Sequence, residues 1–512
     1  MLKNVKILVY LKNLTPYNRE RKCEESYDSM VKEINKNLFK SLSYFLCLST
    51  LSTTWAQSSD SSISSLSSDN KILSKFKNNK IVTDLKKKLD YESKESSFDG
   101  SVDFRHNQVL NDVGEVPGNA YYGSLDLRYN SLTDTGVYKS LDIRTRMNDE
   151  EILQYSLKEV LYELRYSQSR LAFGRTNLEW SDIDDQWSLG KINNRINFDY
   201  FEIEKEGLIG VFYDEKFSNG LELGLFTSGL YVPEMSQGMV IDQDKGTITC
   251  RTPWCNAPAA SAEIDGKTIP IYYRVNYPDV SDVVTKTSFG AKLGASYFDE
   301  LLRFNLYYIR KPENEMSVTA EISTPADLSV INVEATPQFY YHDVRGGNIE
   351  LNLDEHLQLY SSYVSSSPRQ YPDGDEPFIE YTGIKPKKKK EEYIGGGAKY
   401  LNGDFKSHLG YIARVSEFDT ENDILVNYPR WNQAINISLS KGITRKVSLA
   451  LDVKYDMLTE DRLTVFKTNY RFSKKLYTTF GVNVIGTNPN KESFWSQYEN
   501  NDAAYTSLKY LF

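Results

Sequence analysis

The chain closes on Asp502-Ala-Ala-Tyr-Thr-Ser-Leu-Lys-Tyr-Leu-Phe512. Ala504, Thr506, Leu508, Tyr510 and Phe512 fall on one face of a strand, and Tyr505, Ser507, Lys509 and Leu511 on the other. One face is apolar and ends on an aromatic ring. The other carries a lysine. If this strand is representative, the rest of the chain should be built of strands with one apolar and one polar face.

It is. From about residue 98 the sequence alternates between turn signals. Strands are expected at 98–107, 119–131, 136–147, 155–167, 169–178, 207–217, 220–231, 285–298, 301–312, 336–353, 356–366, 392–401, 404–416, 433–441, 443–456, 461–473, 475–487 and 502–512. That makes about eighteen, with sixteen as the alternative count. Their connections largely alternate in length. Short ones are Leu132–Thr135, Ser167-Gln168, Ser218-Asn219, Asp299-Glu300, Asp354-Glu355, Asn402-Gly403, Gly442 and Ser473-Lys474. Long ones lie near 180–206, 232–284, 313–335, 367–391 and 417–432. Short turns at one end and long loops at the other are the mark of a membrane barrel. No apolar run outside the N-terminal region approaches the eighteen residues of a spanning helix, so a membrane assignment rests on strands. Tyr is abundant, at 37 of 512 residues, which suits interfacial aromatic girdles.

The N-terminus agrees. Lys36 and Lys40 precede the apolar Leu42–Leu51 and a small-residue cleavage site at Thr54-x-Ala56, the pattern of a secretory signal peptide. The expected organisation is an upstream extension at 1–29, with Met30 as the expected true start, then a signal peptide at 30–56. A Ser-rich linker with a short periplasmic helix, plug or tether follows at 57–97, and the barrel spans 98–512.

These features resemble the outer-membrane β-barrels of Gram-negative bacteria, whose last strand ends in an aromatic residue with apolar residues two and four positions before it. Leu508, Tyr510 and Phe512 match that assembly signal. The resemblance covers roughly 98–512. Phe173-Gly-Arg-Thr-Asn-Leu-Glu-Trp-Ser181 is also similar to Gly-Arg-containing strands of substrate-selective and alginate-export-type barrels. The resemblance implies an all-β, transmembrane, antiparallel up-and-down barrel in the outer membrane. It implies insertion by the barrel-insertion machinery, contact with outer-membrane lipid and lipopolysaccharide, and passive diffusion of small solutes. Monomer and trimer are both compatible with it. No nucleic-acid partner and no cofactor are expected.

The two strand faces can be assigned by cost. Leu125, Leu127 and Tyr129 alternate with Ser124, Asp126 and Arg128; Phe466, Thr468 and Tyr470 alternate with Lys467, Asn469 and Arg471. A charge facing lipid at mid-membrane costs roughly 2–4 kcal/mol, so the charged face is expected to line the lumen. The expected pore-lining bases are Arg105, Arg128, Arg144, Arg146, Arg165, Lys292, Arg303, Lys406, Arg414, Lys454, Lys467 and Arg471, with Lys509 beside them. The inward acids Asp103, Asp126, Asp142, Glu163, Glu222, Glu350 and Asp452 are fewer. Although the whole chain has a net charge of −9, this lumen is expected to be positive. A basic lumen favours anions. Ladder pairs are expected where Asp126 stands beside Arg128, Asp142 beside Arg144, and Glu163 beside Arg165.

The acid is expected in the loops, at 179–187 and 371–376, as solvated segments. Asp182, Asp184 and Asp185, and also Asp373, Asp375 and Glu376, are the alternative reading as oxygen ligands for Ca²⁺. The basic run from Lys385 to Lys390 is either solvated or in contact with lipopolysaccharide. Cys250 and Cys255 flank Arg-Thr-Pro-Trp. In an exported chain they read as a small disulfide loop, a metal or redox pair being the alternative. The 232–284 connection has enough apolar content to need cover, as a constriction or a lid. Trp180, Trp187 and Trp254 are expected to anchor loops rather than to stack on sugars. No catalytic or phosphate-binding fingerprint occurs; His342-Asp343 and His408 are the residual candidates for chemistry. The expectation is a porin-like channel for small polar, anionic solutes. The alternative is a non-conducting surface barrel that acts in adhesion or partner binding through its long loops, its lumen plugged by 71–91 or 232–284.

Overall fold

Eighteen strands form one sheet that closes on itself. The computed structural model describes residues 95–110, 119–132, 137–148, 153–196, 199–234, 238–298, 300–369, 378–380, 383–385, 389–416 and 428–512. The first barrel strands are β1 (Glu95–Val109), β2 (Asn119–Leu132), β3 (Val137–Asn148), β4 (Leu153–Arg165), β5 (Ser169–Thr176) and β6 (Leu208–Lys216). Next come β7 (Leu221–Ser228), β8 (Ser288–Tyr297), β9 (Leu302–Pro312), β10 (Tyr341–Asn352), β11 (Leu357–Pro368) and β12 (Glu391–Asn402). The last are β13 (Phe405–Arg414), β14 (Gln433–Gly442), β15 (Val447–Asp456), β16 (Arg462–Arg471), β17 (Leu476–Gly486) and β18 (Ala503–Leu511). Each pairs antiparallel with its neighbours in sequence. β18 also pairs with β1, from Ser101 opposite Leu511 to Val109 opposite Ala503. The expected strands are all present. The largest shift at a strand start is in β10, expected from 336, because Ile331–Gln338 joins a sheet outside the barrel instead.

Closure leaves no unpaired edge, which is what lipid demands of a backbone with no water to bond. The terminal strand is held at its last residue: the Phe512 amide donates to the Gly100 carbonyl at 3.0 Å. The Phe512 ring lies so close over Gly100 that a Cβ there would stand 2.2 Å from it.

The two faces fall as the alternation requires. Outside, Phe104, Leu293, Leu306, Ile349, Leu409, Phe480 and Leu508 are all exposed. Such a belt on a closed barrel is a lipid-facing surface. Inside are Asp126, Arg144, Lys467 and Lys509. The barrel is therefore transmembrane and of outer-membrane type. In β4 the strict alternation fails. The register with β3 slips between Asp142 and Ile143, leaving Lys158 without a partner opposite, and Lys158 and Glu159 then line the same cavity. That is the effect of a β-bulge, and two-residue periodicity could not show it.

Short turns and both ends of the barrel chain, Glu95 and Leu511, share one rim. At the other rim three long connections build a six-stranded sheet of their own: Ser261–Ile264, Lys267–Val275, Ile331–Gln338, Ser317–Ser323, Gly383–Lys385 and Phe378–Glu380. The 232–284 stretch, expected as a constriction or a lid, thus supplies strands of its own at that rim. The segments 71–91 and 371–376, and the middle of the 385–390 run, lie outside the described residues.

Gly100→Leu should push the Phe512 ring off the seam and destabilise the barrel by about 1–3 kcal/mol, the usual cost of overpacking. Urea unfolding from detergent micelles checks this: an unchanged midpoint would show that the ring is not seated there.

Candidate functional site

The hydrophobic core of this barrel lies inside its lumen. The connection from β5 to β6 folds inward and carries Leu178, Trp180, Ile183, Trp187, Leu189, Ile192 and Ile196, all buried. All but Ile196 join one cluster with inward wall residues including Tyr307, Ile309, Val344, Tyr360, Val364 and Ile412. The Trp187 and Trp431 rings meet edge to face at 5.6 Å. Burying side chains of this size stabilises by about 1.5–3 kcal/mol each. That gain explains why the segment leaves water for the lumen.

Local chemistry shapes the inner loop. Its one helical turn, α1 (Asp182–Trp187), starts on Ser181, whose hydroxyl accepts from the Asp184 amide at 3.3 Å. The Asp184 carboxylate then accepts from the amides of Lys191 at 2.8 Å and Ile192 at 3.0 Å, closing the turn that follows. Gly190 has φ +71, and a Cβ there would run into the Arg195 side chain. Asn194–Ile196 pairs with Glu204–Glu206 as a small hairpin. At its base Glu206 takes Arg175 at 2.7 Å and the Ser156 hydroxyl at 2.9 Å.

The expectation of a solvated acidic loop at 179–187 is therefore wrong. Asp182 pairs with Lys399 at 3.1 Å, Asp185 with Lys205 at 2.5 Å, and Asp184 is buried within the turn. Among the described residues no group of acids could hold a metal ion. Burial pushes the Asp185 carboxyl up to about 6, against the pull of Lys205. Trp180, Trp187 and Trp254 are each buried as anchors.

Ion pairs latch the loop to the start of β12 and to the outer connections. Lys191 pairs with Glu391, and Arg195 with Glu315 and with Glu234 at 3.5 Å. Asn314 donates to the Asn193 carbonyl at 2.9 Å. Burial raises the Glu234 carboxyl to about 7, Arg195 notwithstanding. Arg430 is depressed to about 10 by burial, beside Arg195, and stacks over Tyr200 at 4.8 Å.

Where the loop is polar, the lumen holds space. One cavity of about 300 Å³ is enclosed by β1–β3, β16–β18 and the loop residues Asp199 and Glu202. Its wall carries Arg105, Arg144, Arg146, Lys467 and Lys509, with Asp103 and Asp126. Arg105 reaches Glu202 at 3.0 Å and Asp199 at 3.5 Å, and lies 3.8 Å over the Tyr505 ring. Lys467 takes Glu202 at 2.6 Å. Burial opposes ionisation of Glu202, but Arg105 and Lys467 outweigh it and hold the carboxyl at about 2. Glu204 binds Arg144 and Arg146, and Lys158 at 2.8 Å. A second cavity of about 1180 Å³ reaches the short turns and is lined by Arg165, Lys292 and Arg303 among others. A third, of about 520 Å³, holds Arg128 and Asp142.

The sequence-predicted bases thus separate into groups. Arg105, Arg144, Arg146 and Lys467 meet in the small cavity, Arg165, Lys292 and Arg303 in the large one, and Arg128 in the third. Lys454 lies under the inner loop, 6.0 Å from the rings of both Trp187 and Trp431. Arg414 donates to the Ser416 hydroxyl at 3.0 Å near the loop rim. Lys406 and Arg471 sit by the short turns, Arg471 donating to the Ser473 carbonyl at 3.1 Å. The ladder pairs run crosswise: Arg128 takes Asp142 at 2.8 Å, and Arg144 takes Asp126. Glu163 serves both Arg165 and Arg170. Asp199, Glu202, Glu204 and Lys158 were not singled out in the sequence. The one signal for the three acids is the acidic string Asp199-x-x-Glu-x-Glu-x-Glu206 next to an apolar loop. His342 bonds Ser366 at 2.8 Å, while the adjacent Asp343 faces Arg310 on the other side of the sheet. His408 is held between Tyr360 and Asn436. Cys250 and Cys255 form a disulfide.

No family model matches the chain, and no curated relative does. Solved structures share its general form. OccAB4 of Acinetobacter baumannii is 10% identical over 82% of this chain and 98% of its own, with a TM-score of 0.44. OpdQ of Pseudomonas aeruginosa is 11% identical over 82% and 98%, at 0.43. OmpF of Salmonella typhi, solved with daunomycin, is 10% identical over 81% and 97%, at 0.40.

Because the Glu234 proton is held more tightly with the loop docked, acid favours docking. This contribution is complete below the ordinary value of 4.5 and is lost as pH rises to about 7. Proteolysis of the inner loop in micelles should therefore quicken from pH 5 to pH 8, and Glu234→Gln should flatten that dependence.

Proposed function

We propose that the barrel is an outer-membrane, porin-like channel through which small polar solutes diffuse, with a modest preference for anions. The inner loop fills the apolar sector of the lumen, so passage runs off-centre, between the loop and the polar wall of β1–β3 and β16–β18. The observation that carries this reading is the cavity there. Five cations (Arg105, Arg144, Arg146, Lys467 and Lys509) and four carboxylates (Asp103, Asp126, Asp199 and Glu202) line it. Most of these charges are engaged with each other, which lowers the surplus that the wall alone would carry. Lys509 is held more loosely: it lies 4.0 Å from Asp126 with no hydrogen bond between them, and opposite Asp103 across the β1–β18 seam. It is the cation most free to attract a passing anion, by about 1–4 kcal/mol at such distances. Insertion through Leu508, Tyr510 and Phe512, and contact of the rim with lipopolysaccharide, belong to the same reading.

Single-channel recording in a salt gradient tests it. Wild type should give stable steps with a reversal potential on the anion side. Lys509→Glu should move it toward cations, and Glu202→Gln should move it further toward anions. One observation favours a second reading, a non-conducting barrel that binds partners: three long connections build a folded sheet at the outer rim. A folded barrel that gives no current would decide for it.

A further inference from the structure

The charged tip of the inner loop is held from outside the barrel. Asp199 and Glu202, which both reach Arg105, bracket Tyr200 and Phe201. The four residues form one tight turn: the Phe201 amide donates to the Asp199 carboxylate at 2.8 Å and the Glu202 amide to the Asp199 carbonyl at 3.0 Å. Any shift of the two rings therefore moves the two carboxylates. Trp254 lies edge to face against both rings, 5.3 Å from Tyr200 and 5.2 Å from Phe201; Tyr200 also packs on Phe494 and Tyr498 of the β17–β18 connection, so Trp254 is the ring that joins Phe201 to this cluster. Trp254 is only 5% exposed, although it belongs to the long connection between β7 and β8.

Trp254 is itself constrained. It is the last residue inside the Cys250–Cys255 disulfide loop. Cys250 sits in a hairpin opposite Met239. The Pro253 carbonyl accepts from Asn501 at 2.7 Å, and Asn256 donates to Gln497 at 3.2 Å, tying the loop to the β17–β18 connection. A short closed loop has few conformations to lose when its one large ring is buried.

We propose that Trp254 is a positioning residue for the channel: the disulfide loop presents it, and it fixes the acidic turn 199–202 against Arg105 and so sets the charge selectivity of the passage. This rests on the channel reading above. Without Trp254 the turn should swing from the wall and leave Arg105 and Lys467 unopposed, so selectivity should move toward anions.

The full mature chain serves for the test, in planar bilayers and in micelles. Trp254→Ala should raise the anion-to-cation permeability ratio by about twofold or more, the scale of coupling through a contiguous packed network. It should also quicken chymotryptic cleavage at Tyr200 and Phe201, while the barrel still folds and conducts. Trp254→Phe should restore both. The double variant Cys250→Ser with Cys255→Ser should shift both the same way by less. In a background with both Tyr200→Ala and Phe201→Ala, Trp254→Ala should add nothing to the permeability shift, which a general packing defect would not produce. A conducting Trp254→Ala with an unchanged permeability ratio overturns the inference and leaves the channel reading standing. A folded but silent wild type overturns the channel reading and the selectivity claim with it, and cleavage then decides the positioning claim: an unchanged rate refutes it.

Discussion

The seam between β1 and β18 is the constraint on which the rest depends. A sheet in hydrocarbon has no water for its edge groups, and each unsatisfied group costs several kcal/mol. Eighteen strands joined in sequence are a membrane structure only once the first and last are paired, from Ser101–Leu511 to Val109–Ala503. The terminal Phe512 completes that seam by laying its ring over Gly100, where no side chain competes. Closure also divides the chain's surroundings. Exposed Leu306, Ile349 and Leu409 face lipid, while Asp126, Arg144 and Lys467 face an enclosed interior.

Within that enclosure two demands share the space. An apolar inner loop needs apolar partners, and finds them where the upper wall turns apolar on its inward face, at Ile309, Val344, Val364 and Ile412. Its acidic stretch needs counter-charges, and finds Arg105, Arg144, Arg146, Lys158 and Lys467 on the remaining wall. Buried ion pairs contribute little net stability once desolvation is counted, so the apolar contacts hold the loop and the ion pairs fix where it rests. The same acids offset most of the positive charge that the wall bases would otherwise place in the lumen.

Much of this was legible in advance, for physical reasons that can be named. A strand with one face in lipid and one in water repeats every two residues, so about eighteen strands and their inward faces could be read from that alternation together with the succession of short and long connections. The rule failed at Lys158, where an extra residue turns two neighbours to one side. It was also silent on connections, which have no period. The string 179–187 read as a solvated acidic loop because acids are usually outside. Its Trp180, Ile183 and Trp187, spaced among those acids, were the sign that it would seek cover. The apolar inward residues of the wall were a second sign, visible as strands in which both faces turn apolar near the loop rim.

The sequence by itself determined the class of fold, the approximate strand positions and the two faces, because these follow from local alternation and from the cost of charge in lipid. The tertiary structure alone decided which connection enters the lumen, which bases face acids, and that Trp254 reaches Tyr200 across more than fifty residues of chain. Those outcomes depend on contacts between segments far apart in sequence, where partner choice is set by the shape of a closed barrel and leaves no mark in any one segment.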